Sequence, residues 1–132
     1  MKTIVTNVKN ERSNTVKNQF MIIEGNNITF QSYKTIIAVL HSASAFIEIN
    51  SNAFDYSVTT SRHFCNWFEN VLTNYKPTTK EIKNWIKNGY IPASENCYNT
   101  DIDIRIVNAS NLTPYDVNDK ITTKYLQYYY FA

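Results

Sequence analysis

Few side chains in this sequence stand at spacings that a reaction could use. His63 and Cys65 bring a base close to a thiol, the pairing that nucleophilic catalysis needs. On a helix, residues two apart point about 200° from one another, so these two side chains diverge. Cys65 then falls at the edge of an apolar stripe, where a small buried hydrophobe is the ordinary role. Nothing in the sequence brings His41 to them. Asp101 and Asp103 share one face of a strand and could hold a divalent cation with Glu48 or Asp55. The same pair, with Arg105 beside it, also reads as a solvated strand face. Two His and two Cys scattered along the chain do not make a zinc spacing. Glu81-x-Lys83 matches part of a nuclease signature, but it lies on a helix and lacks the leading strand acid. The expectation is a non-enzyme with no catalytic residues, no metal and no cofactor.

Binding chemistry is better represented. Lys80, Lys83 and Lys87 fall within about 60° of each other on a helix, opposite Ile82, Trp85 and Ile86. Lys76 just precedes the helix and extends the ridge. Such a ridge suits nucleic-acid phosphates or an acidic protein surface; a solvated helix face has the same composition. The other candidate is the C-terminal run with Tyr125, Tyr128, Tyr129, Tyr130 and Phe131. As a strand it presents aromatics to both faces. Three readings stand: a protein interface, a central strand buried on both sides, or a platform for single-stranded bases.

The elements that must carry these residues follow from periodicity. Residues 7–18 are polar and aperiodic, which predicts a flexible N-terminal arm over residues 1–18. Gln19–Glu24 and Ile28–Tyr33 flank Gly25-Asn26-Asn27, a hairpin turn. Thr35–His41 and Ala45–Asn50 make a second such pair around Ser42-Ala43-Ser44. After Tyr56 the period changes to 3.6. Thr59-Thr60-Ser61 offers capping hydroxyls, and Phe64, Trp67, Phe68, Val71 and Leu72 form one apolar face, with Arg62, Asn66, Glu69 and Asn70 opposite. Thr78 and Glu81 have capping-box spacing for a second helix, stopped at Asn88-Gly89. Residues 90–100 read as loop. Asp101–Val107 alternates strictly, with Ile102, Ile104 and Ile106 on one side. Pro114–Asp119 suits a short helical turn, and Lys120–Phe131 a last strand.

At 132 residues with 43% hydrophobic and 18% charged content, the chain suits one folded domain and excludes global disorder. A net charge of +2 excludes a dominant polyelectrolyte field. Two Gly leave no material for a phosphate-cradling loop. The N-terminus has no signal-peptide core, and the longest apolar stretch, Ile36–Leu40, falls far short of the ~20 residues that span a bilayer. These features predict a cytoplasmic protein that does not enter a membrane, and in a reducing compartment Cys65 and Cys97 stay unlinked. The fold class expected is α+β: an antiparallel sheet of about five to six strands with two helices packed on one face.

Two segments, Phe30–Ala38 (FQSYKTIIA) and Phe54–His63 (FDYSVTTSRH), together with the two helices, resemble a family of small uncharacterised proteins. That family occurs in phages, prophages and plasmids of low-GC bacteria. Its pattern is a strand ending in Ser-Tyr, then Thr-x-Ile-Ala, then Tyr-Ser-x-Thr-Thr-Ser-x-His before a helix, and the resemblance covers about residues 19–89. Family members often carry Arg where this chain has Val58. The resemblance implies a mobile-element accessory protein. Such genes frequently encode inhibitors of host defence, anti-CRISPR proteins among them, so the implied partner is a host protein such as a CRISPR effector nuclease. The alternative is a nucleic-acid-binding accessory or regulatory protein.

Overall fold

The computed structural model describes residues 3–10, 12, 14–97, 101–109 and 112–117. Seven strands form one sheet in the order β1-β2-β3-β4-β5-β7-β6. The first five run in chain order as antiparallel neighbours: β1 (Thr3–Lys9), β2 (Thr15–Glu24), β3 (Asn27–Ser32), β4 (Thr35–His41) and β5 (Phe46–Ile49). Helices α1 (Val58–Val71) and α2 (Thr79–Asn88) follow, then β6 (Tyr90–Ile91), a 3-10 turn over Ala93–Glu95, and β7 (Ile104–Asn108).

The hairpins are where the turn residues require them. Glu24 pairs with Asn27, leaving Gly25-Asn26 as a two-residue loop with Gly25 at φ +61°. Positive φ at the first loop position matches the right-handed twist of the flanking strands, and glycine adopts it without a Cβ clash. The next loop, Tyr33-Lys34, has the same form with Tyr33 at φ +54°.

Three expectations for residues 1–109 are corrected. Residues 3–9, read as part of an N-terminal arm, form β1, with Val8 fully buried; Thr6 occupies the inner position between Ile4 and Val8, which hides the alternation. The sheet has seven strands and is mixed, not antiparallel with five to six: β5 pairs with β7 in parallel. A parallel neighbour needs a crossover connection, and residues 50–103, with both helices, supply it. The 90–100 segment contributes β6 and the 3-10 turn, where loop was expected.

Register assigns the two faces. Ile4, Met21, Phe30, Ala38, Leu40, Ile47, Ile49 and Ile104 share the first face and join one core with Phe64, Trp67, Phe68, Val71 and Leu72 of α1. A bulge opposite Phe30/Gln31 turns Ile37 into the same core, while Ile36 stays on the other face. Aromatic packing dominates: Trp67 sits 6.2 Å from Phe30, 5.8 Å from Phe64 and 5.5 Å from Phe68 between ring centroids. α1 lies over β1 and β3, and α2 packs on α1 and β6, placing Ile82 and Trp85 in the core.

The second face also buries side chains, including Ile22, Thr29, Gln31, Ile36 and Val39. Residues 112–117 cross it without regular structure, where Pro114–Asp119 was expected to form a helical turn. The Tyr115 N–H donates to Gln31 Oε1 at 2.8 Å, and Gln31 Nε2 donates back to the Tyr115 carbonyl at 3.0 Å. The buried glutamine thus replaces one rung of a strand ladder.

Candidate functional site

α2 is built by local signals and then anchored. Thr78 Oγ1 accepts from the Glu81 N–H at 3.1 Å, and Glu81 Oε1 accepts from the Thr78 N–H at 3.1 Å, completing the capping box. Gly89, at φ +87°, closes the other end. The Tyr75 hydroxyl donates to Glu95 at 2.8 Å and Glu81 at 3.4 Å, tying the helix start to the 3-10 turn. Partial burial and these two carboxylates hold the phenol well above its ordinary range.

Ile82 and Trp85 point inward, which fixes the opposite side of α2 outward. Lys80, Lys83 and Lys87 are all exposed there. Lys83 Nζ lies 3.2 Å from Asp55 Oδ2, so the ridge leans against the loop before α1. That contact borders a cleft of about 610 Å³ between the starts of the two helices, lined by Arg62, Lys76, Lys83, Asp55, Cys65 and Thr79 among others. Three cationic side chains and one carboxylate line it. Lys76 belongs to this cleft, half-buried, beside the helix ridge. Arg62 completes the cationic lining and was placed by sequence only as a polar position on α1. The signal that could have found it is the short 73–78 connection, which folds the start of α2 back towards α1.

The remaining candidates separate. Cys65 is buried with its Sγ 3.7 Å from Thr79 Oγ1, and burial pushes its thiol up. His63 is buried on α1, under the first sheet face. His41 projects from the second face, where its ring stacks on Phe46 at 4.2 Å and Nε2 meets Glu48 Oε1 at 2.5 Å. The sheet therefore stands between the two histidines. Asp103 Oδ1 accepts from the Ala93 N–H at 2.8 Å, and Asp101 is exposed. Glu48 and Asp55 are thus engaged elsewhere, and among the described residues no group of three His, Cys, Asp or Glu could hold a metal. Cys65 and Cys97 are free thiols.

Two local assignments are corrected. The α1 cap is Ser57, not Thr59-Thr60-Ser61: Ser57 Oγ accepts from the Thr60 N–H at 3.0 Å, so the helix begins at Val58. Asn66, expected on the solvent side, is buried at 2% exposure. Val58 is 87% exposed. Tyr125, Tyr128, Tyr129 and Tyr130 lie outside the described residues, as does the proposed strand 120–131. Among the described residues no helix is long and apolar enough to cross a membrane.

A family model described as "Family of unknown function (DUF8033)" matches residues 3–88, and the chain belongs to that family. The match spans β1 through α2 and so includes the lysine ridge and the cationic cleft. No curated protein and no solved structure matches the chain.

Proposed function

We propose that this member of the family is a non-enzymatic mobile-element protein that binds and inhibits a host-defence effector, with a CRISPR nuclease as the target. One observation carries the reading: Lys80, Lys83 and Lys87 stand exposed on one side of a helix whose other side is locked into the core. The anchored helix needs no backbone ordering to present the ridge, so the entropy lost on binding is confined to the lysine side chains. Arg62 and Lys76 extend the positive field across the adjoining cleft. The tyrosines of the tail, Tyr125 and Tyr128 to Tyr130, are the second contact in this reading, supplying aromatic area. The setting is the cytoplasm of the host cell.

The test is cleavage of target DNA by a purified CRISPR nuclease with its guide, measured with increasing amounts of this chain. Dose-dependent loss of cleavage supports the reading, and cleavage unaffected at large molar excess overturns it.

A second reading, a nucleic-acid-binding accessory protein, is favoured by the composition of the cleft, where an arginine joins two lysines. Arg matches phosphate geometry bidentately as well as by charge. Affinity for an oligonucleotide would then fall with log salt at a slope of about −2 for three single-strand phosphate contacts. A flat salt response removes this reading.

A further inference from the structure

A second cavity, of about 630 Å³, lies on the other side of the α1 N-terminus, and Ser57 lines both this cavity and the cationic cleft. Most of its lining comes from the two segments that carry the sequence resemblance. Ser32, Tyr33, Thr35 and Ile37 come from the β3–β4 hairpin, and Tyr56, Ser57, Thr59 and Thr60 from the start of α1. The lysine ridge uses none of these residues.

Among the described residues the lining has no charged side chain: it is hydroxyls, the amides of Gln19 and Asn52, and the apolar Ile37 and Ala53. Two tyrosines stand at the wall with their rings in solvent, Tyr33 at 62% exposure and Tyr56 at 82%. Gln19 is the opposite case. It is 2% exposed, it lines the cavity, and its Oε1 has no hydrogen-bond partner among the described residues. A buried carbonyl oxygen left without a donor is unfavourable, so a ligand that supplies one is favoured there. An amide offers one donor and one acceptor in a plane, and exchanging the two by a half-turn of χ3 changes little else. The first turn of α1 adds a partial positive charge and carries no acidic residue.

We propose that this cavity binds a nucleobase, with Gln19 reading its edge and Tyr33 and Tyr56 covering its face. Flat rings with adjacent donors and acceptors fit a planar amide bidentately, as glutamine does with adenine. Tyrosine stacking tolerates any base. A charge-free lining suits the base, while the helix N-terminus, between this cavity and the cationic cleft, suits the phosphate that follows it. The base can belong to a free nucleotide or to a single strand continuing towards Arg62 and Lys76.

The experiment is calorimetric titration of the whole chain with adenosine, AMP, a hexa-adenylate and maltose, repeated with Tyr56→Ala and Gln19→Leu. Tyr56 is exposed, so its variant folds; the Gln19 variant is accepted only if its thermal midpoint is kept. Saturable binding of adenosine or AMP, weakened about tenfold by Tyr56→Ala and also by Gln19→Leu, supports a free-nucleotide site. Binding of the hexa-adenylate alone, with the same loss in Tyr56→Ala, supports a base within a strand. No binding of any adenine ligand, or binding of maltose alone, overturns the inference. Oligonucleotide binding lost in Lys80→Glu/Lys83→Glu/Lys87→Glu but untouched by Tyr56→Ala also overturns it, while leaving the α2 reading intact.

Discussion

The two helices solve opposite problems. α1 is a core element: Phe64, Trp67 and Phe68 are fully buried, and the helix also carries polar side chains inward, with Asn66 and His63 among its buried residues. Its N-cap hydroxyl is supplied, yet no acidic residue occupies its first turn and no basic one its last. α2 is held locally, with a complete capping box, Glu81 in the first turn, Lys87 in the last and a left-handed glycine stop. Packing places α1, and local chemistry places α2. The helix that depends least on burial is the one free to give a whole side to solvent, and that side is where the cations lie.

This contrast can be broken in stages. Trp67→Ala removes a fully buried ring from the aromatic cluster of Phe30, Phe64 and Phe68 and should cost about 3–5 kcal/mol. Chemical denaturation measures it, and a loss under about 1 kcal/mol would mean that α1 does not organise the core. Thr78→Ala removes the hydroxyl that accepts from the Glu81 N–H, keeps the Thr78 N–H that donates to Glu81, and should cost about 1 kcal/mol, without moving the α1 packing. A loss as large as that of Trp67→Ala would show that α2 is part of the same cooperative support. Thr6→Val tests the polar side of the α1 seat. Thr6 is fully buried and its Oγ1 has no partner among the described residues, so the isosteric valine should leave the thermal midpoint unchanged or raise it. A fall of several degrees would reveal a hydrogen bond to that hydroxyl.

The same contrast explains which parts were legible in the sequence. α2 was readable to the residue because Thr78, Glu81 and Gly89 act on their own backbone neighbours. The β2–β3 turn was readable for the same reason, through Gly25. The start of α1 was misplaced by three adjacent hydroxyl residues, any of which could cap; only the positions of the packed rings make Ser57 the one that does. β1 escaped because an inward threonine interrupts its apolar rhythm. The parallel β5–β7 pair depends on contacts across more than fifty residues, with Ile47 opposite Ile106, and no local pattern encodes such a partner. For the candidate sites, the lysine ridge needed only helical spacing. The second cavity needed tertiary structure, since Gln19 in β2, Tyr33 in a hairpin and Tyr56 before α1 share no period. Arg62 and Lys76 likewise meet only because α2 folds back on α1.

The most direct measurement is the affinity of the chain for a purified CRISPR nuclease bound to its guide RNA, compared with that of the Lys80→Glu/Lys83→Glu/Lys87→Glu variant at matched thermal stability. All three positions are exposed on a helix anchored from its other side, so the fold should survive the change. The predicted result is tight binding by the native chain and at least tenfold weaker binding by the variant, with inhibition of cleavage lost in step. Equal affinity of the two chains, or no binding by the native one, would contradict a partner docked on this face.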